Sequence, residues 1–210
     1  MPRAPRTEPE FRAVKNSILE KALIIMTREG FDNLSMRRLG TATGMTAANI
    51  YNYFSGKDEL YLELQTKGFE MLHDKMLEVC GRETGPLERL KGFVYAYYEF
   101  GTQFPEYYDI MFNRPTPKFT DYRGTELEPI ASVEKETAMK TALLTVKTIE
   151  EYIKTGNIVP PFEPYRIMLE TWCMLHGIIT LYNSRVYQEV DSSFEEGIQV
   201  MLENIYKRFL

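Results

Sequence analysis

Between Ser35 and Leu60 the chain reads Ser-Met-Arg-Arg-Leu-Gly-Thr-Ala-Thr-Gly-Met-Thr-Ala-Ala-Asn-Ile-Tyr-Asn-Tyr-Phe-Ser-Gly-Lys-Asp-Glu-Leu. Its chemistry is that of hydrogen bonding rather than bond making. An Asn carboxamide presents a donor and an acceptor side by side and can pair in bidentate fashion with adenine, while an Ala or Thr methyl can touch the methyl of thymine. Thr46, Ala47, Asn49 and Asn52 supply these groups within one short segment. No paired-carboxylate motif, nucleophile elbow, phosphate loop or metal cluster stands anywhere in the sequence, which argues against an enzyme. Cys173 and His176 are spaced for two metal ligands on one helix, but no second Cys or His cluster completes a tetrahedral set, so no metal or cofactor is expected.

The elements that must position these side chains are helices. Phe11, Val14, Ile18, Ala22 and Ile25 recur at steps of three and four, the mark of one apolar stripe. The first ten residues carry three prolines and two arginines and read as a flexible basic arm, 1–10. Gly30 stops the first helix. Ser35 is an N-cap for a second, Gly44 breaks it, and Thr46 caps a short third. Two short helices joined at a glycine form a helix-turn-helix. Ala42, Ala47 and Ala48 are small enough for the two helices to approach closely. Leu39, Ile50 and Phe54 are expected to turn inward, leaving Thr46, Ala47, Asn49 and Asn52 outward. Ser55 and Asp58 are expected to form a capping box that opens a fourth helix, running towards Cys80.

Further on, 81–86 is a break, 87–104 an aromatic helix, and 106–112 a short helix opened by Pro105. A loop follows at 114–124. Residues 126–155 suit a long helix with Pro129 in its first turn, and the last two helices are expected at about 164–187 and 193–209. The expected fold is all-α with about nine helices. The expected division is a helix-turn-helix domain at 11–55 and a regulatory domain at 56–210, with 56–80 as connector.

The segment around Gly44-Met45-Thr46, Ile50-Tyr51-Asn52-Tyr53-Phe54 and Lys57-Asp58-Glu59-Leu60 strongly resembles the TetR family of regulators over about residues 12–64. The resemblance implies that Tyr51, Tyr53 and Lys57 sit near backbone phosphates, with Arg37 at the start of the preceding helix. The expected DNA-contacting set is Ser35, Arg37, Thr46, Ala47, Asn49, Tyr51, Asn52, Tyr53 and Lys57. Packing remains open for Tyr51 and Phe54, and capping support beside Asp58 remains open for Lys57. Gly40 stands where the family usually has alanine, and a glycine inside a helix costs about 0.5–1 kcal/mol relative to alanine.

Trp172-Cys173-Met174-Leu175-His176-Gly177, with the aromatic run 95–112 upstream, resembles the TetR C-terminal subtype named for its Trp-His-Gly signature. That resemblance implies a ligand-sensing, dimerising body. Phe93, Tyr97, Phe100, Tyr108, Met111, Phe112, Trp172 and His176 are the candidate pocket residues, with filling of a helical core as the alternative for each ring and for His176. The last helix carries Ile198, Met201, Leu202, Ile205 and Phe209 on one stripe, which must be buried against its own domain or a second chain, and these are the candidate dimer-interface residues.

Charge is distributed unevenly. The net −5 divides into +2 over residues 1–60 and −7 over 61–210, a mildly basic head on an acidic body. With no signal-peptide pattern, no long apolar run and only Cys80 and Cys173, the expected setting is cytoplasmic with no membrane partner. The expected function is a homodimeric, DNA-binding regulator, a repressor released from a palindromic double-stranded operator by a small apolar or aromatic effector. A helical-bundle enzyme and a sensor-less DNA-binding protein are the alternatives.

Overall fold

The computed structural model describes residues 7–156 and 163–207. Among the described residues the fold is all-helical and contains no strand. It has ten α-helices: α1 Glu8–Glu29, α2 Met36–Thr43, α3 Ala47–Ile50, α4 Lys57–Arg82, α5 Pro86–Gln103, α6 Pro105–Tyr108, α7 Glu128–Lys154, α8 Pro164–Asn183, α9 Val186–Val190 and α10 Phe194–Lys207. No described helix is long and apolar enough to cross a membrane.

Helix α1 begins earlier than its apolar stripe. The Glu10 carboxylate accepts from the Thr7 amide at 2.8 Å and from the Thr7 hydroxyl at 2.9 Å, and Pro9 sits in the first turn, where its missing N–H costs nothing. Glu8, Pro9 and Glu10 are therefore helix rather than part of the expected arm, whose residues 1–6 lie outside the described residues.

Two further departures arise where the backbone leaves the α form. The expected helix 106–112 is α-helical only to Tyr108 and continues as a π-turn at Asp109–Asn113. The expected helix 164–187 is split, because Arg185 adopts the left-handed conformation (φ 62°, ψ 8°) and separates α8 from α9, which raises the count from nine to ten. Asn183, at the end of α8, donates to the Gly101 carbonyl at 2.9 Å, a tertiary bond that holds the helix end in place.

The chain divides into two compact units, Met1–Gly68 with Glu106–Lys135, and Phe69–Pro105 with Glu136–Leu210. The expected division at 55/56 is not where the packing separates. Leu60 and Leu64 in the first turns of α4 are fully buried, and residues from far along the chain return to the first unit. In that unit Leu62 packs with Tyr122 and Ala131. Tyr61 donates to the Ile110 carbonyl at 3.0 Å and its hydroxyl meets that of Thr116, while Gln65 donates to the same carbonyl at 3.2 Å. Arg114 is held by Asp109 at 2.6 Å and donates to the Thr27 carbonyl, near the end of α1, at 3.0 Å. Burial pushes the Tyr61 phenol up to about 12, so it stays a neutral donor. The second unit has its own core of Met76, Val79, Leu90, Phe93, Ala96, Ile149, Tyr152 and Met168.

Candidate nucleic-acid interface

The reading surface is built by three helices. Ser35 caps α2, its Oγ accepting from the Arg38 amide at 3.2 Å, and Thr46 caps α3 by accepting from the Asn49 amide at the same distance. Between them Gly44 turns the chain with φ 69° and ψ 24°, a left-handed geometry that is cheap without a Cβ. Leu39 and Ile50 are fully buried and Phe54 nearly so, as are Ile18 and Ala22 of α1. With Ile50 fixed inward, Thr46, Asn49 and Asn52 are exposed and Ala47 is half-exposed, as their spacing predicts, and Tyr51 is exposed with them. Arg37 is exposed on the second residue of α2 and enters no ion pair among the described residues. Its neighbour Arg38 is taken by Glu29.

Several expected roles change. Tyr53 is only 7% exposed and its ring stacks on Phe11 at 4.7 Å between centroids, so it serves chiefly to fasten α1 to the end of the reading segment. Tyr51, 56% exposed, is outward rather than packed. Lys57 places Nζ 4.5 Å from the centre of the Phe31 ring and 4.0 Å from the Asp32 carboxylate, which holds its charge between the short 3-10 turn after α1 and the start of α4. The Ser55 amide and hydroxyl both donate to Glu59 at 2.7 Å, so Glu59 replaces Asp58 as the capping partner.

The close approach of the two helices rests on Gly40, not on the alanines. Ala42 and Ala48 are exposed. A Cβ at Gly40 would lie 2.8 Å from the Met45 carbonyl oxygen and 3.2 Å from the Ala47 nitrogen. The glycine that looks like a weak point in α2 is thus the site over which the turn crosses.

The candidate pocket residues fall in different parts of the molecule. Phe93, Tyr97 and Phe100 belong to the second unit and are buried, Phe93 within its core. There Trp172 donates its indole N–H to the Tyr97 hydroxyl at 2.5 Å and meets the His176 ring edge-on at 5.8 Å. Burial lowers the His176 pKa, so the imidazole is neutral at neutral pH. Tyr108, Met111 and Phe112 belong to the first unit, with Tyr108 and Met111 buried and the Tyr108 and Phe112 rings edge-on at 5.1 Å. Among the described residues no group of three His, Cys, Asp or Glu side chains could hold a metal ion.

The stripe expected to form a dimer interface turns inward within its own unit. Ile198, Leu202 and Ile205 are 0–3% exposed because α10 packs against α5 and α8. Of that stripe Met201 alone among the described residues is exposed, and Phe209 lies outside them. Sequence reasoning missed Gly40, the Phe31 and Lys57 contact and the Ile110 carbonyl that Tyr61 and Gln65 share. Only the glycine itself gave a local signal, because the other contacts join distant residues.

Residues 18–64 match the model described as bacterial regulatory proteins, tetR family, and residues 90–202, more than half of the chain, match the model described as tetracyclin repressor-like, C-terminal domain. The chain belongs to the tetR family. It is 22% identical over 96 residues to the HTH-type transcriptional repressor KstR2 of Mycolicibacterium smegmatis, covering 46% of this chain and 47% of that repressor, so it matches about half the length of this relative. A protein of unknown function from Rhodococcus sp. RHA1 has the same fold, with a TM-score of 0.74 and 22% identity over 99% of this chain and 97% of that one. AibR, solved in complex with isovaleryl coenzyme A and operator DNA, follows at a TM-score of 0.64 and 18% identity over 81% of this chain and 86% of its own.

The Gly40 geometry gives a test. In an open helix Gly→Ala gains about 0.5–1 kcal/mol. Here the added methyl meets backbone, so Gly40→Ala is expected to destabilise the protein by about 1–2 kcal/mol net. Thermal denaturation reads the sign, and a raised midpoint would show that the turn does not need the glycine.

Proposed function

We propose that this chain is a homodimeric repressor that reads a palindromic double-stranded operator with α3 and leaves it when a small apolar or aromatic molecule binds the helical body. The observation that carries the reading is the exposure of Thr46, Asn49, Tyr51 and Asn52 opposite the buried Ile50. In helix-turn-helix proteins the N-terminal residues of the second helix reach base edges while its neighbours hold phosphates. Arg37, Tyr51 and Lys57 take the phosphate role, with Ser35 and Ala47 at the rim and Tyr53 positioning the segment from within. KstR2 is named a repressor and AibR was solved with operator DNA and an acyl coenzyme A, which supports the same class of activity here.

The sensor is placed around Tyr97, Trp172 and His176, where a few polar groups stand among apolar side chains. The segment 172–177 keeps its resemblance to the Trp-His-Gly subtype in this reading. Transmission uses α4, whose Tyr61 and Gln65 grip the π-turn at Ile110, and Arg114, which grips the end of α1. A ligand shifts these elements only through differential affinity for two arrangements.

Dimerisation is assigned to a different face from the buried stripe of α10. Cys173, Gly177 and Thr180 are exposed at helical spacing on α8, and Val200 and Met201 are exposed on α10. Two such copies place two reading helices on successive half-sites.

Asn49→Ala is expected to weaken binding to duplexes selected from a random library by about 1–3 kcal/mol while leaving nonspecific binding nearly intact; equal losses on both would remove Asn49 from base reading. Gly177→Arg, at a position with open space around it, is expected to halve the mass in solution without lowering the melting midpoint. An unchanged mass would rule out the α8 face. In a thermal-shift screen, apolar and aromatic compounds that raise the midpoint are expected to release the selected duplex as well. Stabilisation without release would leave a DNA-binding protein that does not sense.

A further inference from the structure

Phe119 begins a short 3-10 turn, Phe119–Tyr122, that leads from the π-turn towards α7 in the first unit. Two cations converge on its ring. Lys135 Nζ lies 4.5 Å from the ring centre and the Arg123 guanidinium carbon 5.3 Å from it. Lys135 and Arg123 are both exposed, and neither enters an ion pair among the described residues. The ring attracts each charge and holds two like charges near one another, an arrangement that an anion relieves.

Two carboxylates of the loop bond its own backbone. Asp121 accepts from the Lys118 amide at 2.7 Å, and Glu128 accepts from the Gly124 amide at 2.7 Å. Lys118 is exposed beside them, and its charge acts on Glu134, whose partial burial otherwise raises its pKa. Lys118, Arg123 and Lys135 are exposed here, as are Glu126 and Glu136, while Asp121 and Glu128 are turned to backbone amides.

Its position is fixed by packing. Tyr122 and Ala131 pack on Leu62 of α4, and Phe119 joins the same cluster. Of the charged groups around the Tyr122 hydroxyl, Asp58, in the first turn of α4, acts on it most strongly. That turn follows the reading segment directly, within the same compact unit.

We propose that Arg123 and Lys135, with Lys118, form a second phosphate-contacting surface that grips the DNA backbone flanking the bases read by α3. The proposal rests on the DNA-binding reading above and adds a contact outside the helix-turn-helix. Its chemistry is phosphate recognition by a guanidinium and two ammonium groups, so the contact carries no base preference.

The test compares the full chain with its Arg123→Gln/Lys135→Gln variant on duplexes that the unaltered protein selects from a random library, both full length and trimmed at the flanks. Each lost phosphate contact flattens the slope of log affinity against log salt by roughly 0.9, so the double variant should flatten it by about 1.8 per bound protomer. Trimming the flanks should abolish this difference. The charge-retaining Arg123→Lys/Lys135→Arg variant should restore the slope, which a loss of loop structure would not allow. An unchanged slope in the double variant, with the unaltered protein still binding, would overturn this surface and leave the α3 reading standing. Stabilisation of the unaltered protein but not the variant by inorganic phosphate or pyrophosphate, again with an unchanged slope, would assign the patch to a free phosphoanion and overturn the DNA contact. Failure of the unaltered protein to bind any duplex would overturn both readings together.

Discussion

The Gly40 carbonyl accepts the Met45 amide at 2.8 Å, directly beneath the point where the chain crosses from α2 to α3. That crossing sets the rotation of α3 about its axis. Given the rotation, Ile50 is fully buried, as are Ile18, Ala22 and Leu39, and the side chains on the other side of the helix turn outward. A small shift of the turn would carry Asn49 away from its outward direction while leaving composition and helix content unchanged. The α3 helix proper is only the four residues Ala47–Ile50, too short to be stable by propensity, so its geometry is imposed from outside by two caps, a left-handed glycine and a close backbone approach.

The same head is held from its other side by a segment much later in the chain. One carbonyl, that of Ile110, receives both Tyr61 and Gln65, and one guanidinium, that of Arg114, spans Asp109 and the Thr27 carbonyl. Both acceptors of this kind lie on or beside backbone that departs from the α form, Ile110 within the π-turn and Thr27 in the last turn of α1. A segment included in the C-terminal family match is therefore packed as part of the unit that carries the reading helix. Any rearrangement that moves the π-turn must break or carry these polar contacts with α4 and α1.

Charge follows the same division of labour. The exposed face of α3 carries amide, hydroxyl and methyl groups, whereas exposed or half-exposed cations stand at Arg37, at Lys57 and over Phe119 in the same unit. In the proposed function, weak, sequence-blind attraction is thereby separated from base discrimination, so either can be altered without the other.

Much of this was written locally. Ser35, Gly44 and Thr46 placed the two short helices, because caps and left-handed turns depend on the residues at those positions and their immediate neighbours. The apolar spacing of Ile18, Ala22, Leu39, Ile50 and Phe54 determined which faces turn inward, and hence that Thr46, Asn49 and Asn52 turn outward. Tertiary structure alone decided the rest. Whether Tyr53 faces solvent depended on Phe11, which lies far from it in sequence. Whether the stripe of α10 meets a second chain or its own depended on α5 and α8, since an amphipathic pattern requires burial without naming the surface that provides it. The Thr27 carbonyl that Arg114 reaches, the Ile110 carbonyl that Tyr61 reaches and the Lys135 ammonium over Phe119 are likewise remote, and neither propensity nor periodicity contains information about contacts that only a folded chain brings together.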